Sequence, residues 1–155
     1  MSSKITVSSA GGNSMSEITK VALDVMGGDN APVEIVKGAM DAVNNREDIK
    51  IFLVGQENIV QKELEKYTYD KEQIEVVDAP EVIETAEPPV MAIRKKKQSS
   101  IVVAMNMVKK GEADAFVSAG SSGAILVGGQ LLVGRRGETT ACTIIADRKR
   151  CFIAN

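Results

Sequence analysis

KVALDVMGGDNAP, residues 20–32, decides the fold. Its first part, KVALDVM, is a short β-rich apolar run that stops at the pair Gly27-Gly28. A brief apolar run closed by Gly or Pro is the signature of a strand buried on both faces of a parallel sheet. Pro32 then opens a new pattern: Val33, Val36, Ala39, Met40 and Val43 recur at the spacing of one helix face. Proline suits a helix start, because its missing N–H would have no partner there in any case.

The same strand–turn–helix unit recurs downstream. IKIFLVG (49–55), IEVVDA (74–79) and ADAFVSAG (113–120) read as further strands. Glu57 to Tyr67 reads as a charged, exposed helix, and Pro89 to Lys97 begins another. Ser99 or Ser100 can cap the next helix, which runs to Lys110 and stops at Gly111. Ser122 to Leu132 reads as a small apolar helix that should be buried, and Met91, Met105 and Met107 as core residues. Such alternation predicts a parallel sheet with helices on both faces. Three segments follow: a flexible Ser/Gly-rich leader over 1–19, one α/β domain over 20–134, and a divergent tail over 135–155. Met15 stands just ahead of the first strand and is an alternative start.

Composition narrows the chemistry. The 155 residues are 44% hydrophobic and 26% charged, enough for one core. Nineteen basic against 21 acidic residues give a net charge of −2, with no basic field for nucleic acid. Aromatics make up 3% with no Trp, which disfavours base-stacking platforms. Histidine is absent and there are 2 cysteines, so no metal centre or His-based catalysis is expected. Cys142 and Cys151 fit a reducing, cytoplasmic setting better than a disulfide scaffold. No apolar run approaches bilayer-spanning length.

Ligands of such sheets bind outside the carboxyl ends of the strands, and two loops there are unusual. In the first, Gly27 and Gly28 let backbone amides approach a ligand, and the helix after Pro32 points its positive end the same way. Asn30 adds a polar side chain, while the carboxylates of Asp24 and Asp29 repel phosphate and can instead orient a lysine, a water or a polar substrate group. A plain tight turn with an Asn/Asp cap explains the same residues. The second loop, Ser118-Ala119-Gly120-Ser121-Ser122-Gly123, offers amides and three hydroxyls at a helix start. Ordinary capping by Ser121 or Ser122 is the competing account. It is neither a Walker loop nor a GxGxxG fingerprint. Third is Arg94-Lys95-Lys96-Lys97, which reads either as a solvated helix end or as cations of which one or two reach an anionic substrate.

Together and in order, VALDVMGGDNAP, the stretch VIE…EPP…AIRKKKQSS (82–100) and ADAFVSAGSSGAI (113–125) closely resemble the PlsX family of bacterial phosphate acyltransferases. The resemblance runs from about Lys20 to Gly134. One departure is Ser121-Ser122, where the family usually shows Asn-Thr. The resemblance implies a three-layer α/β/α Rossmann-like parallel sheet of the phosphotransacetylase and isopropylmalate dehydrogenase kind, of which this chain carries the N-terminal half. It implies transfer of a fatty acyl group from acyl carrier protein to inorganic phosphate, giving acyl phosphate for phospholipid synthesis. It also implies a cytoplasmic homodimer able to associate with membrane, and no cofactor. The expected phosphate-binding residues are Gly27, Gly28, Asn30, Arg94, Ser118, Gly120, Ser121, Ser122 and Gly123. Candidates for catalytic groups are Asp24, Asp29, Lys95 and Lys96. The alternative is a non-catalytic Rossmann-like module that binds an anion or pairs with a larger subunit.

The tail RRGETTACTIIADRKRCFIAN shows no clear strand or helix period. Read one nucleotide out of frame, codons permitted from Arg136 onward spell VERPPLAPLLPTEKGVSLLI, a family-like continuation. The expectation is a shifted frame near residue 135, a tail never selected for folding, and a 155-residue product with little or no acyltransferase activity.

Overall fold

The computed structural model describes residues 18–134, together with the backbone of residues 143–147 and 150–154. The leader through residue 17 and residues 135–142, 148–149 and 155 lie outside the described residues; Thr19, the last leader position by sequence, already belongs to the first strand.

Four parallel strands form the sheet: β1 (Thr19–Asp24), β2 (Ile49–Gly55), β3 (Ile74–Asp78) and β4 (Ala115–Val117). Their order is β3-β2-β1-β4. Thr19 stands opposite Ile49, and Leu23 stands between Leu53 and Val117. The period-2 pleat sorts the side chains into two cores. Val25, Ile51, Leu53 and Ile74 pack under α1 (Val33–Asn45) and α2 (Glu57–Leu64). Ala22, Phe52 and Val54 face the other way, onto α4 (Ser100–Lys110). A third cluster is mostly helical: Ile93 of α3 (Pro89–Lys95), Ile101 and Met105 of α4, and Ala124 of α5 (Ser122–Gly128). The chain is therefore a three-layer α/β/α fold of Rossmann-like type.

The helices form where the sequence places their stripes and stops. Val36, Ala39, Met40 and Val43 are the buried face of α1. Of the two cap candidates, Ser99 is the one used: its Oγ accepts the Val102 N–H at 3.4 Å. Gly111 ends α4 at φ 76°, the left-handed conformation in which a side chain is strained.

Several expected boundaries shift. Pro32 caps α1 from outside rather than filling its first turn, after a cis Ala31–Pro32 peptide. The helix expected to reach Tyr67 ends at Leu64, and β4 keeps only Ala115–Val117 of the apolar run. The expected helix to Leu132 is not buried throughout: it gives way to a π turn over Gly129–Val133, and Leu126 and Leu131 are half exposed. Met105 and Met107 are core, whereas Met91 is 47% exposed. The tail, in which no period was expected, contains an antiparallel pair, β5 (Thr143–Asp147) with β6 (Arg150–Ala154). Its two β-rich runs, TII and CFI, flank Arg148-Lys149, which carry none of the Gly or Asn chemistry that signals a hairpin.

Candidate active site

From β1 the chain steps to β2 and β3 on one side, and β4 returns on the other side of β1. The connections leaving β1 and β4 therefore diverge at a topological switch point, where open α/β sheets hold ligands. Both glycine loops sit at this point, at the carboxyl ends of neighbouring strands.

The loops are locked to each other. Asp24, the last residue of β1, is only 1% exposed. Its Oδ1 accepts the Met26 N–H at 3.0 Å, and its Oδ2 accepts the Ser118 hydroxyl at 2.7 Å. Ser118 Oγ in turn accepts the Gly120 N–H at 3.0 Å. A Cβ on Gly27 would overlap Asp24 Oδ2 and lie 2.7 Å from the Gly120 nitrogen. The two backbones thus touch, and glycine at 27 is a requirement of that contact. Gly28 follows at φ 100° against Ala119, a conformation open mainly to glycine.

This geometry sorts the candidate residues. Asp24, Gly27, Gly28, Ser118 and Gly120 come together. Both carboxylate oxygens of Asp24 already accept hydrogen bonds, so its visible work is to position the loops. Asp29 and Asn30 are exposed at the rim, and the Asn30 carbonyl accepts the Glu34 N–H, stitching the loop to α1. Among the described residues, no hydrogen bond claims the amides of Gly28, Asp29 or Asn30. Ser121 is 4% exposed and caps α5, its Oγ accepting the Ala124 N–H at 3.3 Å. Ser122 faces solvent. Gly123 lets α3 approach: a Cβ there would lie 2.8 Å from Pro89 Cγ.

The cationic run divides. Lys96 donates to the Val82 carbonyl at 2.7 Å and pairs with Glu87. It ties the segment after β3 to the end of α3. The Glu87 carboxyl is held below the usual carboxylate range, first by the Glu84 N–H and then by Lys96. Arg94, Lys95 and Lys97 are exposed. Pro89, at the start of α3, is the end that abuts Gly123. Arg94 and Lys95 in its last turn therefore lie about 8 Å farther along the axis, at about 1.5 Å per residue. Sequence reasoning missed the Asp24–Ser118 bond and the Lys96–Glu87 clamp. The first joins residues 94 positions apart, and only the strand order brings them together.

Comparison with known proteins identifies the family. The family model described as fatty acid synthesis protein matches residues 19–147. The chain belongs to this fatty acid synthesis (PlsX) family. Within the family it is 55% identical over 116 residues to a phosphate acyltransferase of Clostridium beijerinckii, covering 75% of this chain and 35% of that protein. A phosphate acyltransferase of Clostridium acetobutylicum is 50% identical over 115 residues, covering 74% of this chain and 35% of that one. One of Clostridium tetani is 48% identical over 116 residues, again 75% and 35%. The chain thus spans about a third of the length of these PlsX relatives, and both glycine loops lie inside the region matched by the family model. No helix among the described residues is long and apolar enough to cross a membrane.

Proposed function

We propose that the paired glycine loops hold inorganic phosphate for acyl transfer, the acyl group arriving as a thioester on acyl carrier protein. The observation that carries this reading is the backbone contact between Gly27 and Gly120 at the switch point. It fixes two sets of backbone around one space, with the unclaimed amides of Gly28, Asp29 and Asn30 on its rim. Such amides bind an anion without any side-chain reorganisation. A phosphate oxygen attacks the thioester carbonyl carbon; the C–O bond forms, the C–S bond breaks, and the carrier leaves as the thiol. The product is acyl phosphate. Holding phosphate in line lowers the entropic cost of this bimolecular step. Asp24 and Ser118 act as positioning residues, and Arg94 or Lys95 can offset phosphate charge only if α3 approaches the loops. Homodimer formation, a cytoplasmic setting and association with membrane surfaces belong to the same reading.

The test is a phosphate titration of the isotopically labelled chain, with amide shifts followed by NMR. Saturable shifts at Gly27–Asn30 and Ala119–Gly123 together are expected. Shifts confined to Arg94–Lys97, or none at all, refute the site. Because the chain spans a third of its relatives, the second reading is an anion-binding module that holds phosphate without turnover. Incubation with acyl carrier protein thioester and phosphate bears on the first directly: acyl phosphate formed by the chain establishes it over the second, whereas the little or no turnover expected of the 155-residue product leaves phosphate binding as the test of the site.

A further inference from the structure

A trough opens at the end of the sheet opposite the glycine loops. α4 packs over β1 and β2 and finishes at Lys110, beside the amino ends of the strands. Between α4 and the same face of β3 a volume of about 630 Å³ stays open. Small-molecule sites occupy about 300–1,000 Å³.

The two ends of the trough differ in chemistry. Its floor is apolar: Phe52 and Met107 are buried beneath it, and Val77 and Val103 line it half-buried. Its amino end is charged, with Lys20, Glu75, Lys110 and Glu112 on the rim. Val103 and Lys110 are seven residues apart on α4. At about 1.5 Å per residue the apolar and charged ends are about 10 Å apart.

The charges at the amino end do not balance. Lys20 and Lys50 are register partners on β1 and β2. Both share the face of Phe52, and Lys50 Nζ lies 5.3 Å from the centre of that ring. Neighbouring strands are about 4.8 Å apart, so the two lysine stems rise side by side. Lys50 is paired with Glu75 at 2.7 Å, and Lys110 with Glu112 at 3.8 Å. Among the described residues Lys20 Nζ forms no ion pair; Asp114, which does not line the trough, accepts the Lys20 backbone N–H instead. Like charges held close repel unless an anion joins them. The trough is therefore one negative charge short, with an apolar floor next to the deficit. A compact anion would leave that floor bare, and an uncharged chain would leave Lys20 unpaired.

We propose that the trough binds an amphiphilic monocarboxylate, its carboxylate beside Lys20 and its aliphatic chain along Phe52, Val77, Val103 and Met107. The site shares no residue with the glycine loops, so this proposal and the phosphate reading can fail separately.

The experiment titrates the intact, isotopically labelled chain with decanoate below its micellar range and follows the amides by NMR. Saturable shifts at Lys20, Phe52, Val77 and Val103 are expected, with one decanoate bound per chain and Gly27–Asn30 unmoved. Decanol, which lacks the charge, should bind at least tenfold more weakly, and acetate, which lacks the chain, should give no saturable shift. Lys20→Gln should weaken decanoate binding at least tenfold with the thermal transition kept, and Lys20→Arg should restore it. Val103→Thr, which adds a hydroxyl to the floor, should weaken it at least threefold. Absence of saturable shifts in the trough overturns the proposal, as does equal binding of decanol or undiminished binding by Lys20→Gln. Two results in the free chain also overturn it: contacts from residues 1–17 to Phe52 or Val103, which assign the trough to the leader, and concentration-dependent shifts of the same amides, which assign it to a second copy.

Discussion

Replacing Gly27 by alanine puts a methyl group where Asp24 Oδ2 and the Gly120 nitrogen already are. One neighbour is a buried carboxylate held by two hydrogen bonds, and the other is main chain. Neither can rotate away as a flexible side chain would. Overpacking of this kind costs about 1–3 kcal/mol. Displacing Asp24 Oδ2 also breaks its bond from Ser118, worth about 1.5–3 kcal/mol where the acceptor is a carboxylate. Together the loss is about 2.5–6 kcal/mol, a large share of the roughly 5–15 kcal/mol that holds a domain folded. At about 4 °C per kcal/mol the melting temperature falls by about 10–24 °C. Gly38→Ala is the matched control. Gly38 is exposed within α1 and a Cβ there meets nothing within 4 Å. That substitution should stabilise by about 0.5–1 kcal/mol, because alanine loses less freedom on entering a helix. Urea melts of both variants, followed by circular dichroism, give the two numbers. A Gly27→Ala protein within 0.5 kcal/mol of the parent, alongside a stabilised Gly38→Ala protein, would refute the backbone contact between the loops.

Ser118→Ala and Asp24→Ala remove the two ends of one part-buried hydrogen bond, so their destabilisations should fall short of additive by about 0.5–3 kcal/mol in a double-mutant cycle; strict additivity rules the bond out. Gly111→Ala places a side chain at φ 76° with open space around it, so the cost is backbone strain alone, about 1–2 kcal/mol by urea melt, and an unchanged midpoint contradicts the left-handed cap. The Glu87 carboxyl is held low in the folded state, so its contribution is present at neutral pH and fades as pH falls through and below the usual carboxylate range. Glu87→Gln should accordingly lose less stability than the parent between neutral and acid urea melts, and an equal loss in both proteins counts against the clamp. Lys96→Met should speed amide exchange in the Val82–Glu87 segment while leaving β1 and β2 protected, and unchanged exchange there contradicts the tether.

Short-range patterns carried most of the layers into view. The runs at 20–26 and 49–55 could be read as buried strands because apolar residues fill both faces there, and the Val36–Met40–Val43 stripe because a helix must bury one side. What escaped depended on neighbours distant in the chain. Ser118 looks like a generic loop hydroxyl until β4 is set beside β1, and Lys96 looks like one cation in a run of four until the Val82 carbonyl and Glu87 are brought to it. The exposure of Leu126 and Leu131 ran against hydrophobicity because burial depends on a covering layer, and no spacing within the helix states whether one exists. Both glycine loops were legible as a candidate site, but their mutual contact was not, since glycine carries no side chain to announce what it approaches.

That contact has a consequence for anyone who would redesign these loops. Position 27 is closed to side chains, because a Cβ there meets Asp24 and the Gly120 main chain, and a Cβ at 120 would press on Ser118, Gly27 and Asp24. The loops must then be varied as one unit, like the two jaws of a vice machined to meet. Diversity belongs at their outward positions, Asp29, Asn30, Ala119 and Ser122, all of which face solvent. A library restricted to those four sites varies the rim of the candidate site while leaving intact the joint between the loops.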